Sequence, residues 1–553
     1  MNIQTALIRY LKDRNRGILI SLFIITCLVY LPFLSNPFFF DDRNFFSNAA
    51  SSFLANSQLH LNPRLISNLS LGWTWHFFYD APHVYHLINL LIHTTNVILI
   101  FQLSQKLLSL QQTDQSYRWQ AWFSALVFAC HPVAVYAVGY VIQQSILLAT
   151  AFMLGMMISF LNALSSNKNK WYIATVGFYF LAVFSKEHSL MAMAAIIPLT
   201  ILYRDTEISY RKIAICFLAM SLIGILITLK LKGVIATTYE HDSLALLAQQ
   251  KISNTTEHVY LLSILTQCGL FFKYLLLWLL PNPAWMSIDI RVVFNSYWYS
   301  LSNLIQGLAF LGYGILSLKL LFNRNIKLAL CGFTLITPWL LFLTELTTVR
   351  IQDPFVLYRS YLWLAPSSAL ISIWVAAYPP KKIIITGLII SSILIAISWN
   401  RLWVFSDNYR LWNDAGLLLK DENIAGANRI FYNRANALLG DKKWEEAILD
   451  FNRVIKITPS LGEAYLNKGI ALFQLGLYQE ALNNINKAIE FNTNLANAYF
   501  AKGIILKRLG NTEEARSAIE KSCSYGSMSG CLIISEPFKH SDLLSSHPLK
   551  QKP

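Results

Sequence analysis

From Gly17 to Trp399 the chain is a succession of apolar runs, most of them about long enough to cross a bilayer core. The first spans residues 17–34; others follow at about 84–107, 119–138, 140–162, 171–184, 189–203 and 211–229, then 259–280, 300–322, 327–345, 361–378 and 382–399. Backbone in hydrocarbon has no water to bond to, so runs of this kind fold as helices. With 55% hydrophobic and 14% charged residues among 553, the chain is far more apolar than a soluble domain. It reads as an integral membrane protein. The expected body is all-α and polytopic, with about 11–12 membrane segments over residues 1–400.

Charge sets the expected orientation. Arg9, Lys12, Arg14 and Arg16 precede the first run and place the N-terminus in the cytoplasm. The run is followed by LSNPFFF, which lacks a small-x-small cleavage pattern, so it reads as an uncleaved anchor. Lys106 and Arg118, Lys168 and Lys170, and Arg204, Arg211 and Lys212 mark later cytoplasmic connections. The net charge of +15 is thus explained largely by topology, and nucleic acid is not an expected partner. Arg324 to Lys327 and Lys381 to Lys382 also favour the cytoplasm, which leaves the C-terminus outside after an odd number of crossings. Twelve runs then require that one is not a simple span, and 259–280 is the candidate for a re-entrant or interfacial pair. The polar and aromatic stretch 36–82, with Trp73 and Trp75, suits the membrane interface.

Past Trp399 the pattern changes to a period of 34 residues. Phe431, Tyr465 and Tyr499 share one register, as do Ala435, Gly469 and Gly503, Ala447, Ala481 and Ala515, and Phe451, Ile485 and Ile519. An early aromatic, a small residue four later and an Ala where paired helices touch is the tetratricopeptide pattern. Three repeats are expected over 428–531, after a connecting helix at 401–427 and before a disordered tail at 532–553. Such solenoids present surfaces that hold partner segments, or serve simply for packing and placement.

The candidate chemistry begins at FFFDDRNFF, where Asp41 and Asp42 emerge on the outer side directly after the first run. The pair can serve as a plain helix cap, or as a base that takes a proton from an acceptor hydroxyl. Arg64, Lys186 and Arg359 fall on the same predicted side and suit a phosphate, although each can equally snorkel to lipid headgroups. His131, before Pro132, reads as a helix-packing polar group, and His86, Asn89, His93 and Asn96 as an interhelical stripe. Five cysteines lie in apolar runs without metal-ligand spacing; Cys523 and Cys531 lie in a polar region, where a disulfide can form outside the cytoplasm. There is no HExxH pair, no GxSxG elbow and no phosphate-cradling glycine loop.

Taken together, FDDRNF, RLISNLSL with YHLINLLIHTTNVIL, FACHPVAVYAVGYVIQQSILLAT, FSKEHSLMAM, LTQCGLFFKYLLLWLLP and YRSYLWLAP resemble, in order, the motifs of GT-C glycosyltransferases fused to tetratricopeptide repeats. That family includes the TMTC-type protein O-mannosyltransferases and bacterial relatives. Asp41, Asp42, Lys186, Glu187, Arg359 and Tyr361 match its pattern. Ala134, Tyr136, Gln144, Leu357 and Tyr358 depart from it, the last two standing where a Glu-His pair is usual. The resemblance implies inverting transfer of a sugar from a polyprenyl-phosphate donor to a hydroxyl of an exported protein. Asp41 or Asp42 would be the base, Arg64, Lys186 and Arg359 would bind the donor phosphate, and His131, Glu187, Gln267 and Tyr361 would support the site. No cofactor is required, and a divalent cation, Mg or Mn, is compatible with the chemistry. The expected location is a bacterial inner membrane with the repeats outside the cytoplasm. A glycolipid acceptor, or a non-catalytic membrane scaffold that presents the repeats for envelope assembly, are the alternative readings.

Overall fold

The structure is a computed structural model that describes residues 3–48, 63–111, 116–231, 258–295 and 297–535. The chain divides into two compact units, Met1–Asp407 and Asn408–Pro553. Among the described residues the regular structure is helical, and the one β feature is an isolated bridge between Ile290 and Phe355.

The N-terminal unit is built on α1 (Ile3–Tyr30), α2 (Asp41–Asn48), α3 (Leu65–Phe78), α4 (Pro82–Ser109), α5 (Arg118–Cys130), α6 (Gln144–Ser166), α7 (Asn169–Ser185), α8 (Ile196–Leu202), α9 (Tyr210–Lys230) and α10 (Val259–Leu279). It continues with α11 (Leu301–Leu321), α12 (Ile326–Phe342), α13 (Arg359–Leu364), α14 (Ala369–Trp374) and α15 (Pro380–Val404). Helix α6 is apolar on all sides and lies deep in the unit, with Met153, Leu154, Met157 and Phe160 fully enclosed. Helices α9, α11 and α15 are apolar too, but their Leu218, Leu222, Leu229, Leu308, Ile315 and Ile389 side chains are exposed.

Among the described residues, eight helices are long and apolar enough to cross a membrane, or nine if Arg118–Cys130 and Pro132–Val138, bent by 49°, count as one. Among the described residues fewer helices than the 11–12 segments expected from hydropathy reach that length, and Asn169–Ser185 and Glu187–Leu202 are apolar but shorter. The run at 259–280, singled out as broken, is the continuous helix α10. The breaks lie elsewhere. Helix α5 stops at His131, where Pro132 removes a backbone donor. Helix α7 ends at Ser185 and is followed by a 3-10 run, Glu187–Ala195. The run at 361–378 is divided by Pro366–Ser368. A sliding hydropathy sum cannot distinguish such breaks from continuous helix.

The break after α5 exposes carbonyl groups, and polar side chains of other helices answer them. Ser398 Oγ donates to the Cys130 carbonyl at 2.7 Å. Asn89 Nδ2 donates to the Val138 carbonyl at 3.2 Å, and His93 Nε2 lies 3.3 Å from the Ala129 carbonyl. The polar stripe on α4 thus joins helices, as its spacing suggests.

The C-terminal unit comprises α16 (Asn408–Leu417), α17 (Ala427–Gly440), α18 (Trp444–Ile457), α19 (Gly462–Gln474), α20 (Tyr478–Glu490), α21 (Leu495–Arg508), α22 (Thr512–Ser524) and α23 (Met528–Ser535). The connecting helix is shorter than the expected 401–427, because residues 401–404 belong to α15 and 418–426 are not helical. Each repeat closes on its small residue. A Cβ at Gly469 would stand 2.8 Å from Ile485, and one at Gly503 2.5 Å from Ile519. The helix α23 carries regular structure past residue 531, into the segment read as a tail; residues 536–553 lie outside the described residues.

Candidate functional site

Helix α2 begins with Asp41 and Asp42, acidic residues of the kind that suit a first helical turn. Their environments differ. Asp42 is fully buried, and its carboxylate accepts the Ile142 N–H at 2.8 Å and the Phe39 N–H at 3.5 Å. Burial, reinforced by the Asp41 charge, pushes the Asp42 carboxyl up to about 8 against the pull of these donors. Asp41 is exposed, and its backbone N–H donates to the Tyr140 hydroxyl at 3.2 Å. Phe40, just before the pair, takes a left-handed conformation, φ 52°, and turns the chain into α2; on that helix adjacent side chains point about 100° apart, so the two carboxyl groups face different surroundings.

The ring of Tyr140 lies 6.2 Å from that of Tyr358, and the Lys186 ammonium stands 6.0 Å from the Tyr358 ring centroid. The Asp41 charge acts on Tyr358. Burial raises the Tyr358 hydroxyl, Arg359 and Arg64 oppose this, and Asp353 and Asp41 add to it. Lys186 is buried at the bend between α7 and the 3-10 run. Burial first, and then the Arg64, Arg359 and Arg350 guanidiniums, push its ammonium down to about 7, with Glu187 acting in the opposite sense.

Two of the three expected phosphate-binding cations already meet carboxylates of the chain. Arg64 grips Glu187 with both arms, Nε to Oε2 at 2.9 Å and Nη2 to Oε1 at 2.5 Å, a bidentate pair. Burial alone would raise the Glu187 carboxyl; Arg64, Lys186 and His188 hold it well below the usual carboxylate range. Arg359 Nη1 donates to Glu345 Oε2 at 3.3 Å and to the Asp353 carbonyl at 3.1 Å. Glu345 is also 3.5 Å from Arg350 Nε and 3.2 Å from His188 Nε2, and the other ring nitrogen of His188 is 3.4 Å from Glu187. Arg64, Glu187, His188, Thr344, Thr348 and Arg350 help to line a cavity of about 300 Å³.

The sequence-derived candidates therefore separate into two groups. Asp41, Asp42, Arg64, Lys186, Glu187 and Arg359 contribute to one charged cluster with Tyr140 and Tyr358. Gln267 sits behind it: its Nε2 donates to the Pro354 carbonyl at 2.7 Å, while Ser263 accepts the Arg350 N–H and Tyr274 bonds both backbone groups of Val356. This face of α10 holds the segment that delivers Arg350 and Arg359. His131 and Tyr361 lie in the helical core. His131 stacks on Trp278 with ring centres 4.3 Å apart, and the Tyr361 hydroxyl meets His93 Nδ1 at 2.6 Å and Asn96 Nδ2 at 3.1 Å. Among the described residues, no group of three or more His, Cys, Asp or Glu side chains could hold a metal ion.

Glu345, Arg350 and His188 were not among the sequence candidates. Glu345 carried a signal, because it is a lone carboxylate closing an otherwise apolar run.

In the C-terminal unit, residues 462–494 and 496–525 match the tetratricopeptide repeat family model. This unit carries tetratricopeptide repeats. The matches cover its second and third repeats, and α17 with α18 repeats the same helix pair ahead of them. Cys523 on α22 is disulfide-bonded to Cys531 on α23. No curated protein matches the chain. Among solved structures, the crystal structure of the APC/C hetero-tetramer Cut9-Hcn1 aligns with 13% identity over 89% of this chain and 98% of that chain, at a TM-score of 0.20. A score that low carries no structural argument.

Proposed function

We propose that the N-terminal unit is a membrane-embedded glycosyltransferase of the GT-C type, which moves a sugar from a polyprenyl-phosphate donor to a hydroxyl of an exported protein. The observation that carries this reading is the convergence of an exposed carboxylate, Asp41, with the buried cation Lys186 through the Tyr140 and Tyr358 rings. These groups come from four distant parts of the sequence. The exposed apolar faces of α9, α11 and α15 support a lipid environment, since a water-soluble protein seldom tolerates apolar surface of that extent.

In this mechanism Asp41 accepts the proton of the acceptor hydroxyl as it attacks the anomeric carbon. Asp42 does not take that role: it is enclosed and holds the backbone of residue 142. Lys186, seated in a low-dielectric site, stabilises the charge that grows on the departing lipid phosphate. Arg64 and Arg359 set the field around it from their ion pairs with Glu187 and Glu345. The leaving group is a phosphate, so no carboxylic acid has to protonate it.

Repeats of this kind are protein-interaction modules, which fits a protein acceptor and equally a scaffold. The scaffold reading draws on the same ion pairs, because Glu187 and Glu345 supply the cluster with an internal, purely structural neutralisation. Mass spectrometry of exported proteins from cells with the chain, without it, and with Asp41→Asn distinguishes the two. Loss of a hexose-sized addition from the same protein in both deficient strains is expected. Unchanged glycoproteins, with the variant present at normal abundance, would reject the transferase with a protein acceptor.

A further inference from the structure

The three repeats share a pattern of cations that the tetratricopeptide fold does not require. At one position of the first helix of each repeat stand Arg434, Lys468 and Lys502, and at one position of the second helix stand Arg453, Lys487 and Lys521, each set at intervals of 34 residues. The second-helix cations are each held over the aromatic residue of their own repeat. Arg453 lies 5.3 Å from the Phe431 centroid, Lys487 5.4 Å from Tyr465 and Lys521 5.5 Å from Tyr499. Cation–π contact fixes these heads in place while leaving their hydrogen-bond donors available.

The repeats differ in what meets the pair. In the first, Asp450 is buried between both cations: Arg434 grips it at 2.6 and 2.8 Å, and Arg453 Nη1 reaches it at 2.9 Å. Arg434 also donates to Asn413 of α16, so this pair is committed to the fold. In the second repeat the position of Asp450 is Asn484, whose amide donates to the Glu480 carbonyl of its own helix. In the third it is Ala518. Among the described residues no carboxylate lies within ion-pair distance of Lys468, Lys487, Lys502 or Lys521. The Lys487 charge reaches Lys468: burial and then Lys487 lower the Lys468 ammonium, and Glu480 counters them.

We propose that the second and third repeats form a docking surface for an acidic polypeptide segment, whose carboxylates take the place that Asp450 fills in the first repeat. Lys468 with Lys487 receives one carboxylate, and Lys502 with Lys521 another. Glu463, Glu480, Glu513 and Glu514 stand on the same helices, so the field suits spaced carboxylates better than a continuous polyphosphate. The surface belongs to the repeats alone and does not depend on the chemistry of the N-terminal unit.

Fluorescence anisotropy of the full chain in detergent, with a fluorescein-labelled peptide of five Glu-Gly units, tests the surface. Binding that weakens as salt rises is expected. Lys468→Met with Lys487→Met lowers the affinity about tenfold or more, as loss of charge-assisted contacts does. Asn484→Asp keeps both lysines but restores the internal carboxylate, and weakens the peptide similarly. An unbound peptide, an affinity unmoved by both changes, or equal affinity for oligothymidylate or phosphatidylserine micelles would each overturn the assignment.

Discussion

Asp42 Oδ1 accepts the backbone N–H of Ile142 at 2.8 Å, across 100 residues of sequence. This bond pins the start of α2 to the segment that opens α6, and so fixes where Asp41 stands beside Tyr140. The adjacent carboxylates therefore answer to different substitutions. Asp42→Ala leaves a buried N–H without its acceptor and lowers stability by about 1–3 kcal/mol. Asp41→Asn leaves stability within about 0.5 kcal/mol, as for exposed positions generally. It lowers sugar transfer by about 10²–10⁴-fold if Asp41 is the base. Thermal melting in detergent with a transfer assay checks both, and an active Asp41→Asn removes Asp41 from the mechanism.

The pH dependence of stability separates Asp42 from Lys186 by sign. Burial raises Asp42 from 3.8 to about 8, so the folded chain retains a proton that the unfolded chain has lost, and stability falls as pH rises between these values. Lys186 is lowered from 10.5 to about 7, so the unfolded chain binds the extra proton, and stability rises with pH across that interval. Each slope is at most about 1.4 kcal/mol per pH unit. Asp42→Asn flattens the fall and Lys186→Met flattens the rise in a pH series of melting temperatures. Parallel wild-type and variant curves would show that neither group titrates in these ranges.

Glu345 gathers Arg359, Arg350 and His188 around one buried carboxylate. Removing one partner of such a cluster strands the others, so Glu345→Gln costs about 3–5 kcal/mol. Adding Arg359→Gln removes one stranded charge, and the double variant loses less than the sum of the singles by about 0.5–3 kcal/mol. Strict additivity of the chemical denaturation midpoints would mean that Glu345 and Arg359 do not act as a pair.

What the sequence disclosed follows the range of the interactions involved. The repeats were legible because each small residue, Ala435, Gly469 or Gly503, recurs at a fixed interval wherever two helices of a unit close together. Asp41, Lys186 and Arg359 stood out as charged residues at the ends of apolar runs. The cluster itself was not legible, because it depends on which runs break and where. Ser185–Lys186 and Leu343–Thr347 are interruptions in apolar sequence that hydropathy averages away. In sequence, Arg359 is preceded by Leu357 and Tyr358, neither of which is charged. In space, Glu345 meets Arg359 and His188 meets Glu345, from two other segments. No local pattern could have joined them.

The disulfide between Cys523 and Cys531 ties α23 to α22 at the end of the last repeat. A loop of this separation, 8 residues, is short, and chain entropy assigns such a cross-link about 2–3 kcal/mol. Cys523→Ser with Cys531→Ser should therefore loosen the last helix and leave the earlier repeats folded, which hydrogen exchange can read helix by helix. The bond also reports compartment, because cytosolic thiols are kept reduced. Of the seven cysteines, Cys27, Cys130, Cys216, Cys268 and Cys331 are free. Cells quenched in acid, denatured and alkylated should yield five adducts, rising to seven only after reduction. Seven adducts without reduction would place the repeats in a reducing compartment, and an extracytoplasmic location for them would have to be abandoned.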